Sequence, residues 1–223
     1  MKFIPIAEES GLIVPLGAYV MERACADCLS WQSKAGPPIE VAVNVSTVQF
    51  NRDSFVDDVK TTLEKTGLDP RLLQLELTES VVLGGLENAV ATIRRLQSIG
   101  VTVAIDDFGT GYSALSYIQR LPFNALKIDR TFVKEIMQRS ETRTMVRSLV
   151  ALAQELGMKV IVEGIENEAQ LRAIQELGAN QVQGYYLGRP TPEPLALLSF
   201  PEATAASVIH DQTVMVPEQL EVQ

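Results

Sequence analysis

Hydrophobic residues along this chain fall into short runs separated by longer amphipathic stretches. Val41-Ala42-Val43-Asn44-Val45, Leu73-Gln74-Leu75-Glu76-Leu77, Val101-Thr102-Val103-Ala104-Ile105, Ala125-Leu126-Lys127-Ile128, Lys159-Val160-Ile161-Val162-Glu163 and Gln181 to Leu187 read as strands. Most are apolar on both faces, the pattern of parallel strands covered on each side. Between them, Asp53 to Lys65, Leu86 to Ser98, a short stretch near Ala114 to Arg120, Glu141 to Leu156 and Glu168 to Leu177 carry helical periodicity, several stopping at a glycine. Asn167 and Gln170 have capping-box spacing. Residues 1–34 are helical in pattern, with Pro15 suited to a first turn and Val20, Ala24 and Trp31 near one face. Six strands alternating with helices predict a parallel α/β fold.

Each strand carries a polar residue at or near its C-terminal end: Asn44, Glu76, Asp106, Lys127, Glu163 and Gln183. An open sheet gathers its site at one switch point, whereas a barrel brings every strand end to one mouth. The pattern favours a TIM-like (β/α) barrel, of whose eight strands six are present. The chain is expected to hold one domain over residues 1–200 and a poorly ordered tail over 201–223. The single histidine, His210, lies in that tail with no partner motif around it.

The densest chemistry sits at Asp106-Asp107, after the third strand and before a loop with Gly109 and Gly111. Adjacent buried carboxylates repel each other and lose solvation unless a cation or hydrogen-bond donors compensate them. Strand alternation places them on opposite faces. Both reach one ion only if the backbone bends, which the glycines would permit. With Asn44, Glu76 and Glu163 they form a set of hard oxygen donors suited to Mg²⁺, Mn²⁺ or Ca²⁺. Two such ions would activate water and neutralise a phosphoryl group. Lys127 in that mouth could orient a nucleophile or phosphate, pair with the acids, or form a Schiff base; the last has no use for the surrounding carboxylates.

Charge and composition remove other classes. A net charge of −9 over 223 residues, without a Lys/Arg run, argues against nucleic acid. No apolar stretch reaches the roughly 18 residues of a membrane span, and the N-terminus is not signal-like. Cys25 and Cys28, the only cysteines, stand inside a predicted helix and cannot complete a zinc site, so they read as packing thiols in a cytoplasmic protein.

Six segments then carry a resemblance: NVSTVQF (44–50), LELTES (75–80), IDDFGTGYSALSYI (105–118), LKIDRTFV (126–133), VEGIEN (162–167) and QGYYLGRP (183–190). In this order they resemble the EAL-domain family of bacterial phosphodiesterases, which hydrolyse cyclic di-GMP to linear pGpG; FIPIAEESGLI (3–13) matches the segment after that family's second strand. The resemblance implies Asn44, Glu76 and Asp106 on one metal, Asp107 on or bridging a second, and Lys127 at the attacking water. It implies Glu163 in the metal and water network, Gln183 at the substrate, and Glu79 holding the Asp107–Ser113 loop. Glu79 read on its own is a helix-start carboxylate. The family's Glu-Ala-Leu tripeptide, on its second strand, is expected upstream of the segment matched by Phe3, and with it a metal-ligating Glu and a nearby Arg that contacts substrate phosphate. The expectation is therefore a fragment inactive alone, with unpaired edges at the Val41 and Gln181 strands that favour a homodimer. Sensory or GGDEF-type domains would precede it in a longer protein. The competing reading is a non-catalytic cyclic di-GMP-binding or partner-binding module; an aldolase-type barrel is the other.

Overall fold

Parallel strand pairs set out the polar positions in the computed structural model, which describes residues 3–35, 38–109, 115–191 and 213–215. Two compact units are formed, one reaching to Val103 and including the C-terminal strand, the other running from Ala104 to Arg189.

In the first unit, α1 (Phe3–Glu9) and α2 (Ile13–Ala35) are separated by a turn at Ser10–Leu12. The long helix buries Ile13, Met21, Ala24, Cys25 and Cys28, while Val20 and Trp31 flank that seam half-buried. The buried stripe is thus turned slightly from the one expected. Both cysteines are free and fully buried. Burial, with Cys28 adding to it, pushes the Cys25 thiol up to about 12, so it stays protonated and packs as a small hydrophobe. Gln32 closes the connection to the first strand: its Nε2 donates to the Ile39 carbonyl at 2.6 Å and its Oε1 accepts from the Ile39 amide at 3.0 Å.

Strand β1 (Glu40–Val45) pairs in parallel with β2 (Leu73–Thr78), from Val41 opposite Leu73 to Val45 opposite Leu77. This register places Asn44 beside Glu76. Between the strands, α3 (Thr47–Phe50) starts at Ser46 with a capping box completed by Gln49, and α4 (Phe55–Thr66) stops at Gly67. α5 (Leu86–Ser98) follows β2. The other edge of β1 carries a third parallel strand, β7 (Thr213–Met215). The sequence-based expectation of an unpaired edge at Val41 is corrected here. The tail supplies a short strand, because Thr213-Val214-Met215-Val216 is a β-type run that Pro217 terminates. The rest of 201–223, including His210, lies outside the described residues.

Strand β3 (Thr102–Phe108) enters the second unit, where the order is β3, β4 (Ala125–Ile128), β5 (Lys159–Val162), β6 (Gln181–Val182), all parallel. Helices α6 (Leu115–Ile118), α7 (Arg130–Glu135), α8 (Ser140–Glu155) and α9 (Glu168–Glu176) lie along this stretch of chain. The sequence pattern missed α7, although its signal is present: Asp129 caps it, accepting from the Thr131 amide at 2.9 Å. At α9, Asn167 accepts from the Gln170 amide, but the Gln170 side chain accepts from Glu166 rather than from Asn167, one residue short of a full capping box. Ala104, Ala125 and Ile161 form a small buried cluster, two residues before Asp106, Lys127 and Glu163 along their strands.

The last strand is shorter than expected. Only Gln181 and Val182 are extended, and residues 184–187 turn. The chain there is pressed against Ile165, whose amide donates to the Gln183 carbonyl and whose carbonyl accepts from Tyr186. A Cβ on Gly184 would lie 2.2 Å from both the Ile165 nitrogen and its carbonyl oxygen. No single helix among the described residues is long and apolar enough to cross a membrane.

Gly184→Ala should therefore destabilise the chain by about 2 kcal/mol or more, the range of overpacking against backbone. Gly157→Ala, at φ +73° with nothing within 4 Å of the added carbon, should lose only about 1 kcal/mol for the left-handed backbone. Urea unfolding of both variants checks the difference; equal losses would contradict the close approach.

Candidate functional site

In the second unit the ladder between β3 and β4 pairs Ala104 with Ala125 and Ile105 with Leu126, then resumes with Phe108 opposite Ile128. Asp106 and Asp107 therefore stand together opposite Lys127. Two residues facing one is a β-bulge, which breaks alternation and re-aims side chains. Asp107 takes the strain, with φ +53°, and is the one non-glycine residue of positive φ among those described. An aspartate pays about 1 kcal/mol or more for such a backbone. The bend expected from the glycine loop thus begins two residues before Gly109, at the carboxylate itself. Gly109 also has positive φ, while Gly111 lies outside the described residues. The Asp107 amide donates to Asp106 Oδ1 at 2.9 Å, fixing the first carboxylate against the bulge.

Lys127 fills the space opposite. Its side chain is 1% exposed, and Nζ lies 3.1 Å from Asp106 Oδ1 and 2.7 Å from Glu163 Oε1. Such an ammonium tolerates burial because two carboxylates surround it. The salt-bridged lysine, one of three readings of the sequence, is the arrangement seen. Glu163 is held from behind by a tight crossing: Gly164, at φ +80°, has no room for a Cβ, which would sit 2.3 Å from Cβ of Arg130 at the start of α7. Although close to Lys127, Glu163 Oε1 is buried without an aligned hydrogen-bond donor. Burial pushes the Glu163 carboxyl above its ordinary value; Lys127 pulls it down, and Asp106 and Asp107 add to the rise.

Carboxylate oxygens of Asp106, Asp107 and Glu163 all lie within 4.8 Å of one another. Two ligands on opposite sides of a hard cation are separated by up to about 5 Å, so the three can share one ion after little movement. Three carboxylates thus gather beside one ammonium. This set of hard oxygen donors fits a divalent cation of the Mg²⁺ or Mn²⁺ type.

Gln183 is half-buried in this unit and tied by its backbone, its amide donating to the Val162 carbonyl at 2.9 Å. Two residues on, the exposed Tyr185 carries the guanidinium of Arg189 4.6 Å from its ring centre, a stacked cation that the sequence reading did not single out.

In the first unit, Asn44 is exposed and its register partner Glu76 is 2% exposed. Glu79 is half-buried and opens a 3₁₀ turn over Glu79–Gly84, matching the helix-start reading; residues 110–114 of the loop it was expected to hold lie outside the described residues. Three hydroxyls missed from the sequence join the segments after β1 and β2: Ser80 Oγ lies 2.8 Å from Thr47 Oγ1 and 2.7 Å from Thr78 Oγ1. All three stand in the NVST and LELTES stretches, so their proximity was available once those strands were paired. Gln74, on the same strand face as Glu76, is buried with no hydrogen-bond partner for its Nε2.

Parallel strands, one of them bulged to present two carboxylates in an acidic cluster at its end, define an α/β protein of the TIM-like barrel class with six of its strands. The chain belongs to the EAL domain family, whose model matches residues 1–190. It is 40% identical over 198 residues to the bifunctional diguanylate cyclase/cyclic di-GMP phosphodiesterase MucR of Pseudomonas aeruginosa, covering 89% of this chain and 29% of that protein. It is 39% identical over 191 residues to the cyclic di-GMP phosphodiesterase NbdA of the same organism, covering 86% and 24%. The chain thus spans about a quarter of the length of these curated relatives. Among solved structures, the MucR phosphodiesterase in its c-di-GMP complex superposes with a TM-score of 0.82 at 40% identity, covering 87% of this chain and 79% of that one. The EAL domain of Mycobacterium smegmatis DcpA gives 0.77 at 38% identity, with 82% of each chain covered.

Lys127→Met should leave Asp106 and Glu163 buried and repelling, at a cost of about 3–5 kcal/mol near neutral pH. Already raised in the folded state, the Glu163 carboxyl would lie higher still without the ammonium. A raised folded value favours the protonated form, so the stability it supports is present below the ordinary carboxylate range and is lost as pH rises through the folded value. Thermal unfolding of Lys127→Met in chelator should thus improve from pH 8 to pH 5 relative to the unsubstituted chain. A pH-independent deficit would show that the ammonium does not balance these acids.

Proposed function

We propose that this chain carries the core of a metal-dependent phosphodiesterase that hydrolyses cyclic di-GMP to linear pGpG in the bacterial cytoplasm. The observation that carries the reading is the convergence of Asp106, Asp107 and Glu163 around buried Lys127 in a chain of this family. Asn44, Glu76 and Asp106 would hold one Mg²⁺ or Mn²⁺ ion, and Asp107 would serve a second. When bound, such ions acidify water and neutralise charge on a phosphoryl group. Lys127 donates a hydrogen bond to the attacking water, and Glu163 orients it. The water oxygen bonds to phosphorus, the P–O bond to the departing ribose hydroxyl breaks, and the proton ends on that hydroxyl. Gln183 contacts the substrate, and Glu79 holds the loop after Asp107. A homodimer, and sensory or GGDEF-type domains in a longer protein, belong to the same reading.

A second reading is a non-catalytic module that binds cyclic di-GMP or a partner. The similar MucR phosphodiesterase is seen in a c-di-GMP complex, so binding is common to both readings and turnover separates them. Calorimetric titration with cyclic di-GMP and chromatographic detection of pGpG, each with Mg²⁺, Mn²⁺ or chelator, separate the readings. Metal-dependent pGpG, from this chain or from a longer parent protein, supports the enzyme. Binding without turnover in both supports the module.

Asp107→Asn should remove the gain in melting temperature given by Mn²⁺ and, in any turnover-competent form, slow hydrolysis by about 10²-fold or more, the scale of a lost electrostatic contact in catalysis. Unchanged turnover at saturating Mg²⁺ would sink the assignment. Glu79→Ala should lower turnover while leaving the Mn²⁺ affinity of the chain intact; hydrogen exchange over residues 107–117 should rise with it. Lost metal affinity with unchanged exchange would instead make Glu79 a ligand.

A further inference from the structure

Asp107 holds a left-handed backbone, and such a conformation persists only where its surroundings fix it. One restraint is its own amide, which donates to Asp106 Oδ1 at 2.9 Å. Another lies two residues on. Gly109, also of positive φ, has no room for a side chain, because an added Cβ would sit 2.7 Å from Cζ and 2.9 Å from Cε2 of Phe132. The edge of that half-buried ring therefore bears on the chain just past the bulge.

Phe132 is itself well anchored. It belongs to α7, which starts directly after β4, the strand of Lys127. Asp129 caps the helix, and Val133 within it and Ile136 at its end are buried. The same helix meets the chain beyond Glu163, where a Cβ on Gly164 would strike Cβ of Arg130. The Glu163 amide also donates to the Ile128 carbonyl at 3.0 Å. One short helix thus leads away from the lysine and abuts the backbone beyond two of the three clustered carboxylates.

We propose that Phe132 is a positioning residue for the acid cluster. Its ring holds Gly109, and through it the bulge, so that the Asp107 carboxylate stays beside those of Asp106 and Glu163. The expected effect on a bound ion rests on reading the cluster as a metal site; the placement of Asp107 does not, and is measured without an ion.

The test uses the full chain, first in chelator. In Phe132→Ala, hydrogen exchange of the Asp107 amide should accelerate about tenfold or more while β4 and β5 stay protected, the pattern of a local opening. Phe132→Leu, which removes the ring edge but keeps an apolar side chain, should act in the same direction to a smaller extent. Gly109→Ala should lower the melting temperature. It should do so less in the Phe132→Ala background, where the clash is gone and only the left-handed backbone remains unfavourable. Mn²⁺ affinity, read by calorimetry, should fall about tenfold in Phe132→Ala, the scale for partners that orient a ligand. A merely structural role would lower stability and leave that affinity where it was.

Unchanged Asp107 exchange, or acceleration spread evenly over β4 and β5, would overturn the proposal. So would equal Gly109→Ala losses in both backgrounds, or loss of the helical circular dichroism in both Phe132 variants. Unchanged Mn²⁺ affinity in Phe132→Ala beside lost affinity in Asp107→Asn would overturn it and keep the metal site. Unchanged affinity in Asp107→Asn as well would remove the metal reading instead, and exchange and the paired substitutions would decide the placement of Asp107.

Discussion

A single buried ammonium organises the chemistry of the second unit. Lys127 has almost no contact with solvent, and an isolated charge at such a depth would cost several kcal/mol. It is tolerated because Asp106 and Glu163 approach it from the two neighbouring strands. Those carboxylates need the lysine equally, since without it they would face each other in low dielectric. Asp107 joins the group, so that three carboxylates stand beside one ammonium. Hard oxygen donors gathered in this way are the kind that divalent cations take.

Backbone geometry delivers this arrangement. Strand register brings Lys127 between its partners, the bulge turns two consecutive acids to one side, and Gly164 lets the end of β5 pass close to Arg130. Each device spends local stability, either as positive φ at Asp107 or as a position where only glycine fits. Strain gathered around a group of carboxylates is typical of sites selected for chemistry over stability.

Much of this was legible in the sequence, and the reasons are specific. Short, mostly apolar runs with a polar residue near the C-terminal end predicted all six parallel strands and named Asp106, Lys127 and Glu163, while Asp107 stood out as half of an adjacent acid pair. Alternation alone could place Asp106 and Asp107 only on opposite faces, because a bulge is a two-strand event that one strand's pattern does not contain. The last strand was overestimated because Tyr185, Tyr186 and Leu187 look strand-like, while the backbone of Ile165 that forces the turn is distant in sequence. Helix α7 was passed over because the run after the Ala125–Ile128 strand is short, although Asp129 and Thr131 spell a helix cap. The C-terminal strand was missed because three residues carry too little periodicity to stand out until a partner edge is known.

The bulge also resets the phase of β3. Counting by twos, Phe108 would share a face with Ala104 and Asp106; with one extra residue inserted it stands opposite Ile128, in step with Ile105 and Leu126, and is buried. The extra residue is therefore absorbed where it is inserted, and the packing of the strand on either side is the same as if it were not there. A chain with one aspartate fewer would run as a regular ladder, with the phenylalanine two places from Ile105 and still opposite Ile128. What the insertion adds is a second carboxylate at the strand end, at the cost of a strained backbone and of nothing in the core.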